Sequence, residues 1–267
     1  MVLTNAVAAL RGAFGFLSRI PVGGTDDGWV AFRRTPAAMP AVGYALGALI
    51  ALPVAVAALA PVRVPSVTVA AAFVAWLYFV TGITHLDGVG DLGDAAVVHG
   101  GPGRRREILT DSALGVGGVL ALVLVVLGLA TAAVQIADLA RLSLIGAVVL
   151  VVTAEVGAKA AMAALVCVGE APHEGLGSAL TEESGPRALV GVAFATAPAA
   201  LLGWLAIGLD TVAVVATILV TVAGVALLVF AWARARLGGI SGDVFGATNE
   251  LARVAALHVG VIAWTLS

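Results

Sequence analysis

Charged residues are scarce in this sequence. Only 11% of its 267 residues are charged and 61% are hydrophobic, whereas about a quarter of the residues in a soluble domain are charged. A chain with so little charge cannot cover a surface that faces water, so the composition excludes an ordinary soluble domain. It predicts an all-α, polytopic membrane protein instead.

Cysteines and clusters of basic residues are lacking as well. Cys167 is the single cysteine, which excludes an internal disulfide bond and a paired-cysteine metal or redox site. No basic stripe suggests a nucleic acid as a partner. The N-terminal segment has no basic flank before its apolar part and is interrupted by Arg11 and Arg19, so it makes a poor signal peptide. We expect residues 1–39 to form an interfacial or cytoplasmic segment.

Long apolar runs, by contrast, make up most of the chain. A transmembrane helix needs about 20 mainly apolar residues, and the runs predict about seven such helices in a single membrane domain that covers residues 1–267. Gly43 and Gly47 form a small-xxx-small pair, which lets two helices approach closely. The runs are Pro40–Ala60, Ser66–Ile83, Leu114–Val134, Leu139–Val168, Ala188–Leu209, Thr211–Ala233 and Leu251–Leu266.

The connections between these runs are either long and charged or short and neutral, and the two kinds alternate along the chain. Ten arginines fall in the long connections, and two, Arg63 and Arg141, fall in or next to the short ones. Because cytoplasmic loops are enriched in basic residues, the long connections and any active site they form are predicted to face the cytoplasm from the cell membrane. The short connections are 61–65, 135–138 and 208–210, and the long ones are 1–39, 85–113, 169–187 and 234–250.

Three of the few acidic residues lie close together after the second apolar run. Asp87, Asp91 and Asp94 are spaced i, i+4, i+7, which on a helix places them on one face. Three like charges beside a bilayer repel one another and are poorly solvated, so we expect a cation to neutralise them. Carboxylate oxygens suit a hard divalent ion, Mg²⁺ or Mn²⁺. The alternative is a solvated acidic loop.

A second element near the C-terminus combines glycines with acidic residues in the same way. In the stretch "LGGISGDVFGATNELAR", Asp243 and Glu250 are seven residues apart and Asn249 is adjacent, again on one helical face. Two such elements on one side of the membrane predict one shared site, in which Asp243 and Glu250 face the first cluster across a cavity. Helix capping would explain Asp243 alone.

Other polar residues are candidates for substrate contacts. Glu155 and Lys159 form an i, i+4 pair inside an apolar run, where ionisable residues are functional by default; a self-neutralised pair is the alternative. His85 precedes the acidic cluster by two residues and could be a ligand, a substrate donor or an interface residue. The three arginines at 104–106 could bind phosphate or serve only as an orientation signal.

Six short stretches carry a further signal: "FLSRIPV" (Phe16–Val22), "MPAVGYALG" (Met39–Gly47), "TGITHLDGVGDLGDA" (Thr81–Ala95), "DSALGVGG" (Asp111–Gly118), "EGLG" (Glu174–Gly177) and "GGISGDVFGATNE" (Gly238–Glu250). In this order they resemble the cobalamin-5′-phosphate synthase family, and the resemblance spans nearly the whole chain. The sequence departs from the family pattern at Gly90, Ala113 and Ala158-Lys159. Lys159 would then supply a positive charge that an arginine carries in the family.

The resemblance implies a transferase reaction and roles for individual residues. The ribose hydroxyl of α-ribazole, or of its 5′-phosphate, would attack the cobinamide-linked phosphate of adenosylcobinamide-GDP, and GMP would leave. Small-molecule substrates, the lipid bilayer and other enzymes of cobalamin assembly are the expected partners. The predicted catalytic residues are Asp87, Asp91, Asp94, Asp243 and Glu250, the first three as Mg²⁺ ligands. The predicted substrate contacts are Arg19, His85, Asp111, Ser112, Lys159, Glu174 and Asn249.

Two rival classes stay open at this point. A CDP-alcohol phosphotransferase also uses spaced aspartates at a membrane face, but its signature continues with Ala-Arg where this chain reads "VGDL" after Asp87-Gly88. A cation transporter would place its charges near the membrane midplane, ideally in paired broken helices. Most acidic residues of this chain are expected at one face instead.

Overall fold

The structure, a computed structural model, describes residues 2–22, 24–208 and 210–267. These residues form helices and turns, and none of them is in a strand, so the predicted all-α fold is confirmed. A short 3₁₀ turn at Pro186–Ala188 precedes the helix that begins at Leu189. The helices are α1 (Val2–Leu17), α2 (Asp26–Arg33), α3 (Ala38–Ile50), α4 (Leu52–Leu59), α5 (Ser66–Thr81), α6 (Thr84–Val97), α7 (Pro102–Leu109), α8 (Val116–Leu142), α9 (Leu144–Val168), α10 (Leu176–Thr181), α11 (Leu189–Thr196), α12 (Pro198–Ile207), α13 (Asp210–Arg236) and α14 (Gly242–Thr265).

Five segments of the described chain are long and apolar enough to cross a membrane, and a sixth is added if the bent pair α5–α6 forms one span. Each of them overlaps one of the predicted apolar runs. The run Leu251–Leu266 lies in α14, a 24-residue helix that is not among these segments. The run Ala188–Leu209 ends at a residue outside the described part of the chain. The five segments are Ala38–Leu59, Val116–Leu142, Leu144–Val168, Pro186–Trp204 and Thr211–Arg236.

A sharp bend sets α6 across the end of α5. α5 ends at Thr81 and α6 begins at Thr84, and the two helix axes differ by 100°. Between them Gly82 has φ +78°, a left-handed conformation that glycine adopts more readily than other residues. Its N–H donates to the Tyr78 carbonyl and closes the last turn of α5. α6 therefore does not continue along the axis of α5. It lies across the end of α5, and its aspartates are at that end of the bundle.

α9 occupies the centre of the bundle. Most of its residues are buried, and it contacts α3, α13 and α14. A Cβ atom added at Gly43 would lie 2.8 Å from the Cα of Val156, and one added at Gly47 would lie 2.7 Å from the Cα of Val152. The two glycines thus let α3 approach the backbone of α9, which confirms the predicted small-residue packing.

The long connections gather at the end of the bundle that carries α6. Arg106 of α7 donates to the carbonyl of Leu237, after α13, over 2.7 Å. The N–H of Ile240 donates to the carbonyl of Glu170, after α9, over 2.9 Å. These hydrogen bonds join the second, third and fourth long connections, so the segments predicted to lie on one side of the membrane do lie together.

The first two short connections meet at the other end of α8, where Arg141 pairs with Asp138 over 2.8 Å and donates to the carbonyl of Val64. The third, 208–210, includes a residue outside the described part of the chain. The prediction of a loop at 135–138 was wrong, because these residues continue α8. They include neither glycine nor proline, the residues that most strongly break a helix. The turn falls instead at Ser143, whose side chain caps the first turn of α9.

Candidate active site

Asp87, Asp91 and Asp94 lie on α6, as their spacing predicted. Asp87 is exposed, and Asp91 and Asp94 are partly buried. α6 lies outside the five spanning segments. The pKa of Asp91 is raised to about 6, first by burial and then by the charges of Asp243, Asp87 and Asp94. Several carboxylates therefore crowd together at this end of the bundle, and such crowding favours a bound cation.

Glycines let α6 and α14 pack with almost no space between their backbones. A Cβ atom at Gly88 would lie 2.6 Å from the carbonyl oxygen of Asp243, and one at Gly246 would lie 2.9 Å from the Cα of His85. This seam places Asp243, at the start of α14, beside the aspartates of α6. Burial raises the pKa of Asp243, and a hydrogen bond from Ser241, over 3.2 Å, opposes that rise.

The predicted meeting of the two glycine-and-acid elements is therefore confirmed for their backbones. We refer to the carboxylates of Asp87, Asp91 and Asp243 as the acidic face. Within the described ranges, none of the three forms an ion pair with a lysine or arginine. The acidic face thus carries negative charge that the neighbouring side chains do not compensate.

Asp94 has partners of a different kind. Its two carboxylate oxygens accept hydrogen bonds from the backbone N–H groups of Gly115, over 2.7 Å, and Gly118, over 2.8 Å. These N–H groups lie at the start of α8, where backbone donors have no acceptor within the helix. Asp94 therefore caps a spanning helix from a neighbouring one, a contact that its position in the sequence does not reveal.

A metal site needs suitable donor atoms, and these atoms must point to one position. The donors fit Mg²⁺, because carboxylate oxygens are the hard ligands that this ion prefers. In the part of the chain that is described, no three His, Cys, Asp or Glu side chains already converge as a metal site. Ligation of Mg²⁺ by Asp87, Asp91 and Asp94 accordingly stays a prediction.

A cavity of about 450 Å³ lies beside Asp243, between α1, α6, α9 and α14. Of the predicted site residues, His85 and Asp243 line it. Glu174 is exposed and directly follows His173, which lines the cavity from the loop before α10. Gly177 packs against the backbone just before α14, so the "EGLG" stretch forms part of the wall of the cavity.

A group of four ionised side chains lies buried between α9 and α14. Lys159 pairs with Glu155 over 2.6 Å, and Arg253 bridges Glu155 and Glu250. All four side chains are at most 2% exposed. Buried charges are tolerated when they are paired and hydrogen-bonded, and two acids with two bases give a neutral group. We refer to these four side chains as the ionic network.

The ionic network corrects the roles predicted for Lys159 and Glu250. Neither residue lines the cavity. Lys159 has the self-neutralised pairing with Glu155 that was the alternative interpretation. Glu250 pairs with Arg253, so the prediction that it faces the first cluster across a cavity was wrong. The physical reason is that Arg253 offers Glu250 a buried cationic partner, which the three aspartates of α6 do not have. Asp243 does lie beside the aspartates of α6, but it lines the cavity without them.

Asn249 links the ionic network to the cavity. Its side-chain nitrogen donates to Glu250 over 3.0 Å and lies 3.2 Å from Nδ1 of His85. Because Asn249 is fully buried, it reaches the cavity only through His85, and the predicted substrate contact is at most indirect. Tyr78, which donates to Glu250 over 3.2 Å, was not predicted. The i, i+3 spacing of Glu250 and Arg253 was a sequence signal for their pairing.

The remaining predicted contacts lie at the bend before α6 and in the loop before α8. Arg19 is exposed and its side chain lies against Gly82 at the bend between α5 and α6. Asp111 and Ser112 are exposed in the loop that precedes α8, a few residues before the N–H groups that Asp94 caps. The roles of these three residues as substrate contacts stay predictions.

The fold and the site together define a class of protein. It is a polytopic helical membrane protein whose uncompensated acidic face adjoins a small cavity at one end of the bundle. Comparisons with known proteins narrow this class to one family.

Residues 9–261 match the family described as cobalamin-5-phosphate synthase. The chain is 58% identical over 270 aligned positions to the adenosylcobinamide-GDP ribazoletransferase of Halorubrum lacusprofundi, with 99% of each chain covered. It is 46% identical to the protein of the same name from Haloquadratum walsbyi, with 97% of this chain and 99% of that protein covered. No solved structure matches it significantly. The chain belongs to the cobalamin-5-phosphate synthase family and is a transferase of cobalamin biosynthesis.

Proposed function

We propose that this transferase joins adenosylcobinamide-GDP to α-ribazole, or to α-ribazole 5′-phosphate, and releases GMP. The ribose oxygen forms a bond to the cobinamide-linked phosphorus, and the bond from that phosphorus to the GMP oxygen breaks. GMP leaves with the electron pair of the broken bond, and the ribose proton passes to a base. The product is adenosylcobalamin or its 5′-phosphate. The family match and the names of the two relatives support this reaction.

The uncompensated charge of the acidic face is the observation that carries the proposal. A diphosphate must have its own charge neutralised before an alcohol can attack it, and two sets of negative charges can share a site only through a cation. Asp87, Asp91 and, as their spacing predicts, Asp94 would hold Mg²⁺, and Mn²⁺ would suit the same oxygens. The bound ion would neutralise charge on the diphosphate.

Asp243 is the carboxylate best placed to accept the ribose proton. It lines the cavity, and burial raises its pKa, which makes a carboxylate a better base. Glu250 accepts hydrogen bonds from Arg253, Asn249 and Tyr78 and is turned away from the cavity. Asp94 is committed to the N–H groups of α8.

Release of GMP tests the proposed reaction. The purified enzyme in lipid nanodiscs is incubated with adenosylcobinamide-GDP, with or without α-ribazole and Mg²⁺, and GMP is measured. We expect release that requires both the acceptor and a divalent ion and that Mg²⁺ or Mn²⁺ restores after chelation. Release without an acceptor would indicate a hydrolase, and no release with any divalent ion would refute the proposal.

The side of the membrane is a separate part of the proposal. We expect the acidic face to be cytoplasmic, because ten arginines lie in or near the long connections at that end. A reporter fused after Ala60 should report the outside of the cell, and one fused within Pro102–Arg106 should report the inside. The reverse pattern would refute the cytoplasmic assignment.

A further inference from the structure

The cavity beside Asp243 is of nucleoside size. Its volume of about 450 Å³ falls in the range of about 300–1,000 Å³ that is usual for small-molecule sites. Of the two reactants in the proposed reaction, adenosylcobinamide-GDP carries a corrin ring with many side chains and is several times larger than a nucleoside. Only the acceptor is small enough to enter the cavity as a whole.

The charge of the cavity lining also distinguishes the reactants. Its ionisable side chains are His85, His173 and Asp243, and the described residues contribute no lysine or arginine to it. A phosphate in such a place would lie beside a carboxylate without a cationic partner, which is strongly unfavourable away from water. The lining therefore favours an uncharged ligand, and the diphosphate belongs outside, at the acidic face.

An aromatic side chain provides a fixed apolar wall. The Phe16 ring lines the cavity and packs against Trp29, with 6.0 Å between ring centroids, and against Phe32, with 5.3 Å. It also meets the ring of His85 edge-on, with 6.5 Å between centroids. These neighbours hold Phe16 in one orientation, so a planar ring can pack against it without an additional cost of ordering the side chain.

His85 adds a polar group of defined character. The amide nitrogen of Asn249 faces both Glu250 and Nδ1 of His85, since the reversed amide would set its oxygen against the Glu250 carboxylate. Nδ1 therefore accepts, and in a neutral imidazole the ring hydrogen then resides on Nε2. Nε2 has no hydrogen-bond partner within the described residues. His85 thus offers a donor that a sugar oxygen can use.

We propose that this cavity is the acceptor site and that it takes the uncharged nucleoside part of α-ribazole. The planar benzimidazole base packs against Phe16, and the ribose hydroxyls lie within reach of His85 and Asp243. This inference rests on the proposed function. It adds which reactant occupies the cavity and how the base and the ribose of that reactant are oriented in it.

The KM values of the two substrates test the assignment. We expect Phe16→Ala to raise the KM for α-ribazole by about 10-fold, the usual effect of losing one apolar contact surface, and to leave the KM for adenosylcobinamide-GDP unchanged. Phe16→Leu keeps apolar volume without the ring and should fall between Phe16→Ala and the unmodified enzyme. Phe194→Ala is the matched control, because Phe194 is 77% exposed on α11, and neither KM should change.

An inhibitor gives a second measurement that does not require a variant to fold. Free 5,6-dimethylbenzimidazole, an uncharged planar base, should inhibit the unmodified enzyme competitively with α-ribazole and not with adenosylcobinamide-GDP. A KM effect of Phe16→Ala confined to adenosylcobinamide-GDP, or inhibition competitive only with that substrate, would overturn the acceptor site. Both results leave GMP release by the unmodified enzyme intact, whereas absence of that release would overturn the proposed reaction itself.

Discussion

The acidic face and the ionic network contain the same kind of side chain in opposite situations. In the network each carboxylate is buried and paired with a lysine or an arginine. On the acidic face no carboxylate has such a partner among the described residues. Pairing makes the network part of the scaffold, whereas unpaired charge at the acidic face remains available to a ligand. The comparison teaches that, in this bundle, an ionisable residue is better judged by its partners than by its presence.

The largest effect is expected when a cation is removed from the ionic network. Arg253→Met leaves two buried carboxylates with only Lys159 between them and should destabilise the protein by about 3–5 kcal/mol. The free energy of unfolding in detergent measures this. Arg236→Met, at the exposed end of α13, is the control and should change little. Equal stability of the two variants would show that the network is not part of the scaffold.

The acidic face should respond in the opposite way. Asp91→Asn should lower the rate of GMP release by at least about 100-fold, the order seen when a catalytic electrostatic group is lost. It should leave stability unchanged or higher, because it removes one of several like charges that repel one another. GMP release and unfolding are measured on the same preparation. Asp27→Asn, on the exposed side of α2, is the control. Near-normal turnover of Asp91→Asn at limiting Mg²⁺ would contradict the metal role.

The seam between α6 and α14 connects the two regions, since α14 carries a member of each. Gly88→Ala inserts a methyl group 2.6 Å from a backbone oxygen and should destabilise the protein by about 1–3 kcal/mol. Gly224→Ala is the control, because no heavy atom lies within 4 Å of its added Cβ, and it should be neutral or stabilising. If both variants unfold alike, the close approach of the helices is not needed.

Asp94 belongs to neither region, because it caps α8, and it sets the smallest expected effect. Asp94→Ala removes the cap of α8 and should cost about 1 kcal/mol, whereas Asp94→Asn keeps a capping oxygen and should cost less. Unfolding measurements compare the two variants. A titration of GMP release with Mg²⁺ then shows whether Asp94 also serves a metal, because an unchanged Mg²⁺ requirement in Asp94→Asn would contradict that predicted role.

Much of the helical framework could be predicted from the sequence, because an apolar run of spanning length has few other stable structures in lipid. The helical face of Asp87 and Asp91 followed from spacing alone, and the packing at Gly43 and Gly47 from residue size. The end of the apolar run at Ile83 predicts where the span ends, but it does not predict a bend of 100° at Gly82. Glycine permits the turn without indicating its angle.

The partners of the charged residues were the part that sequence could not supply. Lys159 and Glu155 are neighbours on one helix, so their pair was one of two predicted alternatives. The contact of Arg253 with Glu155 joins residues 98 apart, and that of Asp94 with Gly115 joins two different helices. Such contacts depend on how helices are arranged, which no local pattern encodes.

The ionic network also bears on the order in which the bundle can be assembled. Glu155 and Lys159 share α9, and Glu250 and Arg253 share α14, so each helix brings its own neutral pair. A segment whose charges cancel enters a bilayer at lower cost than one with a net charge. α9 can therefore insert during synthesis and remain neutral while the chain up to α14 follows (Glu155 and Arg253 are 98 positions apart). When α14 arrives, Glu155 gains Arg253 as a second partner, and no member of the ionic network is without a partner at any stage.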